Sequence, residues 1–322
     1  MNNKKYIFFC KEEFGHYRTY FHLLDRLNIS EIKSIRGLIN DLNKYDAIIF
    51  AHGDRHVVLS LFIKIFYPRV IIYSIFYHSL QNHNIGFKIF LKRFIIKVNN
   101  IIGVNIMSLE FDKPGLFKIN IKKLYDPYIF KSKQKKTNDK LTYLCIGYLD
   151  ERKNIYKLLN TYKSLEINFP AKRQLRLVGA SNKATHELIN NFISNNKDLD
   201  IVYLPGYCNE NKFKNEFVYS DILWGFYKNH YGSSGVFINA ISCNKKIIFS
   251  SNSVIENFCN ELSISKNSFE SNSLIEDIIN LENRDQYLQE KAKDFIKRRD
   301  GKLFFKAFVW FFDLNLQWWK FL

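Results

Sequence analysis

The sequence is short of acidic side chains: 31 Asp and Glu stand against 48 Lys and Arg, a formal net charge of +17 at pH 7. That imbalance points to an anionic partner: a membrane surface, nucleic acid or a phosphorylated substrate. Paired cysteines are also missing. Cys10, Cys145, Cys208, Cys243 and Cys259 are widely scattered, so the simple reading is free thiols in a reducing compartment. The sequence has no zinc-ligand spacing, no Walker loop, no repeat of solenoid length and no RNA-reading or helix-turn-helix signature. Nor is there a long unbroken apolar run. The longest, Val57 to Tyr77, is interrupted by Lys64, Pro68 and Arg69. It reads as a buried helix, a turn and a buried strand rather than a membrane span. The start, MNNKKYIFFCKEE, turns acidic after a short apolar run and does not read as a secretory signal. A cytoplasmic location is expected.

What is present is a globular composition, with 322 residues and 47% hydrophobic side chains, enough for two domains with separate cores. The basic surplus is denser in the first half, where residues 1–132 carry 20 basic against 10 acidic side chains. Buried-strand candidates there are Lys5 to Cys10, Tyr45 to Phe50, Val70 to Ile75 and Asn100 to Val104, with a helix at His16 to Leu27. Strands separated by helical patterns, each ending in a polar or glycine-containing loop, predict a parallel sheet flanked by helices. Ligands of such sheets bind past the carboxyl ends of the strands.

Lys131 to Lys140 has five lysines and no apolar residue, the best linker in the chain. After it the pattern restarts. Strands are expected at Leu141 to Ile146, Gln174 to Val178, Ile201 to Leu204, Ile222 to Phe226 and Ile247 to Phe249. Helices are expected at Asn154 to Leu165, Ala184 to Asn195 and Glu210 to Tyr219, and Glu276 to Arg299 reads as largely helical. The expected domains are 1–132, 133–300 and an aromatic segment 301–322. That last segment either packs back on the first domain or meets a membrane interface through Trp318, Trp319 and Lys320.

Two stretches carry candidate chemistry. Gly232-Ser233-Ser234-Gly235 opens a helical pattern through Val236 to Ile241. Helix N-termini have unpaired N–H groups and favour anions, Ser233 or Ser234 can cap, and glycine lets a ligand approach the backbone. Gly147 to Asn154 links the first strand of the second half to a helix, which places Arg152 and Lys153 on a loop at the same sheet edge. A cation facing a helix N-terminus is a good holder for a diphosphate. In the first half, the helix-spaced Lys88, Lys92, Arg93 and Lys97 lie in an acid-free segment, Gly86 to Asn100, interleaved with Phe, Ile and Leu. That pattern suits either an anionic membrane surface or a solvated face of a packed helix. Asp198-Leu199-Asp200 reads as a charged strand entry, not a metal site.

From about Leu141 to Glu256 the chain resembles retaining glycosyltransferases of family four. The likeness is carried by GYLDERKNIYKLLNTY, LRLVGAS, LPGY, DILWGFYKNHYGSSG, FINAISCNKKIIFSS and SVIEN. It implies the α/β GT-B architecture, two Rossmann-like domains with parallel sheets facing a central cleft. It implies a UDP- or GDP-linked sugar donor as substrate, no further cofactor, no metal and retention of configuration. Lys153 matches the family's phosphate-binding lysine. Tyr148 stands where many members have arginine, a contact Arg152 could replace. Tyr231 and Asn239 occupy the positions of two family glutamates, the second of which holds the ribose. The Ser-Ser-Gly loop looks like one branch of the family. More loosely, Phe14-Gly15-His16 matches a glycine loop near the donor phosphates, and His78 matches a histidine near the transferred sugar. A core or surface role is the competing reading for His78, and the favoured one for His16 and His52.

These readings together predict a glycosyltransferase peripheral to the inner face of the cell membrane. Its acceptor would be a growing glycan or polyprenyl-linked acceptor, of the lipopolysaccharide O-antigen or capsule kind, with no nucleic-acid partner. The rival is a non-enzymatic basic module binding anionic lipid or nucleic acid; it accounts for the charge but not for the paired Rossmann-like pattern.

Overall fold

The computed structural model describes residues 5–11, 16–25, 27–76, 87–109, 121–128, 130, 139–228, 234–249, 254–262, 274–283 and 291–311. The chain forms two compact units, each built on its own parallel sheet. The first comprises Met1–Pro127 with the closing stretch Arg298–Leu322, and the second lies between Tyr128 and Lys297.

In the first unit β1 (Tyr6–Phe9), α1 (His16–Leu23), β2 (Ile29–Ile32), α2 (Ile35–Asp41), β3 (Ala47–Phe50), α3 (Val57–Phe66), β4 (Ile71–Phe76), α4 (Phe87–Ile101), β5 (Asn105–Leu109) and β6 (Ile121–Leu124) follow in order. The six strands pair in parallel as β2-β1-β3-β4-β5-β6. The central strands are apolar on both sides because both sheet faces are covered. Leu38, Val57, Ile63 and Ile96 of α2, α3 and α4 pack with Ile7, Ile48 and Ile72 on one face. On the other, Tyr20 of α1 packs with Phe304 and Phe308 against Phe8, Ile49 and Tyr73.

Those phenylalanines belong to the chain's last described helix, Gly301–Phe311, which contacts α1 and β6. The Tyr20 and Phe304 rings stack at 5.1 Å. The aromatic sequence of residues 304–308 is therefore core of the first unit; Trp318, Trp319 and Lys320 lie outside the described residues.

Two expectations change here. A strand was expected at Asn100 to Val104, but α4 runs to Ile101 and turns at Gly103 (φ +90°), and β5 starts at Asn105. Asn99 holds that helical end: its amide donates to Val57 O at 2.8 Å and Ile95 O at 3.0 Å. Second, α3 is not a buried helix. Val57, Ser60 and Ile63 face inward, but Phe62, Ile65 and Phe66 are exposed.

The second unit contains β7 (Leu141–Ile146), α5 (Ile155–Asn168), β8 (Arg173–Gly179), α6 (Lys183–Asn195), β9 (Ile201–Pro205), α7 (Glu210–Tyr219), β10 (Ile222–Gly225), α8 (Gly235–Ser242), β11 (Lys246–Phe249), α9 (Val254–Glu261), α10 (Leu274–Asn283) and α11 (Lys291–Arg298). Its strands pair in parallel in the order β11-β10-β7-β8-β9. The chain starts in mid-sheet, runs to one edge, and returns to the other side of β7. Open α/β sheets bind ligands at such a reversal, here past the carboxyl ends of β7 and β10.

Polar side chains fix the helix starts. Asn182 accepts from Thr185 N at 2.8 Å and Asn209 from Lys212 N at 2.9 Å. Away from these strand ends, Arg173 binds Glu282 through two bonds of 2.7 and 2.8 Å and reaches Glu166 at 3.2 Å. Tyr143 also donates to Glu282.

Candidate anion site at the switch point of the second sheet

The segment leaving β7 is shaped by two glycines and a capped turn. Gly147 has φ +104° and Gly179, at the end of β8, has φ +139°. A side chain on Gly179 would put its Cβ 1.8 Å from Gly147 O, so only glycine lets the two strand ends pass this closely. Gly147 N donates to Val178 O at 3.0 Å and Leu149 N to Ala180 O at 2.7 Å. The chain is thus laid across the end of β8 before it turns back. Asp150 then caps a single 3-10 turn, Glu151–Lys153, accepting from Arg152 N at 3.1 Å. Asn154 follows in the left-handed region (φ 51°), where asparagine is one of the few tolerated residues, and starts α5.

This turn separates two adjacent cations. Arg152 is exposed, and its Nε donates to Asp150 Oδ2 at 2.7 Å. Lys153 turns inward and is 7% exposed. Its ammonium donates to Ile146 O at 2.7 Å and to the Tyr227 hydroxyl at 3.0 Å, and it lies 4.5 Å from the Tyr227 ring centroid. Burial lowers the Lys153 pKa, but the neighbouring Tyr227, Cys145 and Asp150 outweigh it and leave a net rise, so the group stays cationic. Among the described residues no carboxylate lies in salt-bridge contact with it. A buried cation in that state is an electrostatic demand for an anion.

The exit of β10 is stitched to the same turn. Trp224 Nε1 donates to Lys153 O at 3.1 Å, and Lys228 N donates to Arg152 O at 2.6 Å. The start of α8 also arrives here. A Cβ placed on Gly147 would meet Lys153 Nζ at 3.6 Å and Val236 Cγ2 at 3.8 Å, so the ammonium and the first turn of α8 flank one point. Ser234, extended at φ −121°, caps the helix by accepting from Phe237 N at 3.3 Å. Gly235, the first helical residue, is buried. The leading N–H groups of α8 have no partner within the helix, and the helix dipole adds positive potential at that end.

Of the candidate site residues, Lys153 and the start of α8, with Ser234 and Gly235, come to the same strand exit beside Gly147. Arg152 is turned onto Asp150. Asn239 lies one turn inside α8 with no exposed surface. Its amide donates to Gly235 O at 2.6 Å and its carbonyl accepts from Phe130 N at 3.3 Å. Gly15, His78, Ser233 and Tyr231 lie outside the described residues. Tyr148, just past Gly147, is 51% exposed.

Sequence reasoning missed Tyr227, which holds the Lys153 ammonium; a tyrosine two residues past the end of β10 was the available signal. Nor did it separate the two cations, because nothing in Arg152-Lys153 distinguishes outward from inward. Among the described residues no three His, Cys, Asp or Glu side chains cluster as metal ligands.

No family model and no curated protein sequence matches this chain. Solved structures do match, GT-B glycosyltransferases among them. HepE of Anabaena, crystallised in complex with UDP-glucose, aligns with a TM-score of 0.68 over 98% of this chain and 100% of that one, at 10% identity. The apo form of the lipopolysaccharide outer core galactosyltransferase WaaB aligns with a TM-score of 0.59 over 97% and 100%, at 14% identity. A variant of S. aureus TarM, in complex with fondaparinux, alpha-GlcNAc-glycerol and UDP, gives 0.61 over 83% of this chain and 55% of that one, at 12% identity. The chain has the fold of these proteins: α/β, two parallel sheets with flanking helices, GT-B.

Proposed function

We propose that this protein is a glycosyltransferase that takes a nucleoside-diphosphate sugar past the carboxyl ends of β7 and β10. The observation that carries this reading is the buried Lys153 ammonium, held beside the start of α8 with no carboxylate against it among the described residues. The HepE complex with UDP-glucose supports the ligand class.

In this reading the diphosphate accepts hydrogen bonds from Lys153 and from the N–H groups at Ser234 and Gly235. Negative charge grows on the diphosphate as the sugar–oxygen bond breaks, and preorganised donors there lower the barrier. Tyr227 and Ile146 O position the ammonium so that a third N–H remains for the ligand. Arg152 reaches the same phosphates by leaving Asp150. Ser233, Gly15 and His78, to which the family resemblance gives donor-site roles, lie outside the described residues. No side chain is assigned as an enzymatic nucleophile. The sugar moves with retention to a growing lipid-linked surface glycan, of the O-antigen or capsule kind, at the inner face of the cell membrane.

Calorimetric titration with UDP and GDP against mixed oligonucleotides tests this. Binding of either nucleotide, with weaker or no oligonucleotide binding, is expected. Tight oligonucleotide binding with no nucleotide affinity would replace the reading by that of a basic binding module. A donor screen with mass detection of nucleotide release then identifies the sugar.

A further inference from the structure

The first unit has an outer surface that its fold does not explain. Helices α3 and α4 lie side by side, joined where Asn99 donates to Val57 O and Ser60 Oγ donates to Asn99 Oδ1 at 3.2 Å. Each turns one apolar face to the sheet and leaves a second facing water. On α3, Phe62 is 54%, Ile65 57% and Phe66 69% exposed, and the Phe62 and Phe66 rings stack in parallel at 6.2 Å. On α4, Phe90 is 47%, Phe94 50% and Ile101 72% exposed. Single exposed apolar residues are ordinary, but stripes on two neighbouring helices mark a surface made to be covered.

Charge says by what. From Arg55 to Leu109 the sequence contains no Asp or Glu and seven Lys or Arg. Lys97 falls between Phe94 and Ile101 at helical spacing, and Lys92 and the exposed Arg69 flank the stripes. Long basic side chains beside inserted rings suit the boundary between acyl chains and anionic headgroups. Arg93 does not belong to this surface, because it is 6% exposed.

We propose that the outer face of α3 and α4 docks on an anionic lipid bilayer. Phe62, Ile65, Phe66 and Phe94 enter the headgroup–acyl boundary, and Lys92, Lys97 and Arg69 meet lipid phosphates. This gives the membrane-peripheral enzyme proposed above its contact surface and rests on that reading for its purpose, while the test below does not require transferase activity. The basic residues of α4 alone make a weak anchor; the exposed rings of α3 supply the apolar half.

The test is flotation of the full chain with vesicles of phosphatidylcholine alone and of phosphatidylcholine with phosphatidylglycerol, at low and high salt. The wild type should float with the anionic vesicles and lose binding as salt screens the lysines. Phe62→Ser with Phe66→Ser should weaken vesicle binding by about tenfold at either salt. Lys92→Gln with Lys97→Gln should weaken it by roughly tenfold at low salt and little at high salt. All four positions are at least partly exposed, so the variants should keep the wild-type thermal midpoint, and UDP affinity reports separately on the second unit. Flotation unchanged in the phenylalanine variant overturns the proposal, as does equal binding to neutral vesicles. A dimer in sedimentation that the phenylalanine variant breaks, with no vesicle binding by the wild type, also overturns it and assigns the face to a second copy. Normal UDP or GDP affinity without vesicle binding defeats this inference alone; vesicle binding with affinity for neither nucleotide defeats the transferase reading alone.

Discussion

Replacing Lys153 by methionine tests the anion site most directly. Methionine keeps most of the buried stem and removes the charge, whereas alanine would also open a cavity costing about 2–5 kcal/mol. Two effects on stability then oppose each other. Losing the ammonium removes the cost of holding a desolvated cation, but it takes a charge-assisted bond from Ile146 O and from the Tyr227 hydroxyl, each worth about 1–3 kcal/mol. The net change should be small, on the order of 1 kcal/mol, or about 2–4 °C in Tm. Ligand binding has no such compensation. A charge-assisted bond to phosphate contributes about 1.5–3 kcal/mol, so the affinity for UDP or GDP should fall by roughly ten- to a hundredfold. The assay is calorimetric titration of wild type and Lys153→Met at one fixed salt concentration, with Tm measured on the same samples. A folded variant that binds nucleoside diphosphate as well as the wild type would falsify the assignment of Lys153 to the phosphates.

Three further outcomes follow from the same geometry. Gly179→Ala should be the more damaging of two positive-φ glycine replacements, by several kcal/mol in urea unfolding, because its Cβ meets Gly147 O; Gly206→Ala (φ +101°), with open space around it, should cost only about 1–2 kcal/mol of backbone strain. Asn239→Ala should lower stability by about 2–4 kcal/mol, since Phe130 N and Gly235 O both lose a partner, while the folded fraction keeps its nucleotide affinity. The opposite pattern, full stability with weakened nucleotide binding, would return Asn239 to a ribose contact. Glu282→Ala should cost about 3 kcal/mol, the lower end for breaking a buried pair, because Glu166 remains 3.2 Å from Arg173; an unfolding midpoint like that of the wild type would show that the pair contributes nothing net.

The second sheet was nearly all legible in the sequence, for a physical reason. Most of its strands carry short apolar runs, as in LTYLCI of β7 and ILWG of β10, and strands buried on both faces of a parallel sheet favour such runs. The expected limits Leu141 to Ile146 and Glu210 to Tyr219 coincide with β7 and α7. The first sheet was less legible where strands lie at its edges. Residues ISEI of β2 and IKKL of β6 are half polar, and an edge strand needs only one covered side. Asn100 to Val104 misled because Ile101-Ile102 imitates a strand, while the bond from Asn99 to Val57 O that ties down the helical end is long-range.

The site was legible in its order but not in its orientation. The glycine after β7, the basic pair and the small-residue start of α8 could be read off the chain, since a parallel sheet puts all strand exits on one edge. Which cation turns inward could not. That depends on Asp150 capping a turn of one residue triplet and on Asn154 accepting a left-handed conformation, which together point Lys153 back at the end of its own strand. The same limit explains α3. An apolar helix reads as buried whenever its period is seen without its neighbours. Only the packing of Val57, Ser60 and Ile63 inward leaves Phe62, Ile65 and Phe66 outside. In both places the residue types are plain from the chain, and tertiary structure decides which side of an element they serve. The proposed donor site therefore rests on a buried charge, and the proposed membrane face on exposed rings: each is a residue type found where its own solvation disfavours it, and each calls for a partner that repairs the mismatch.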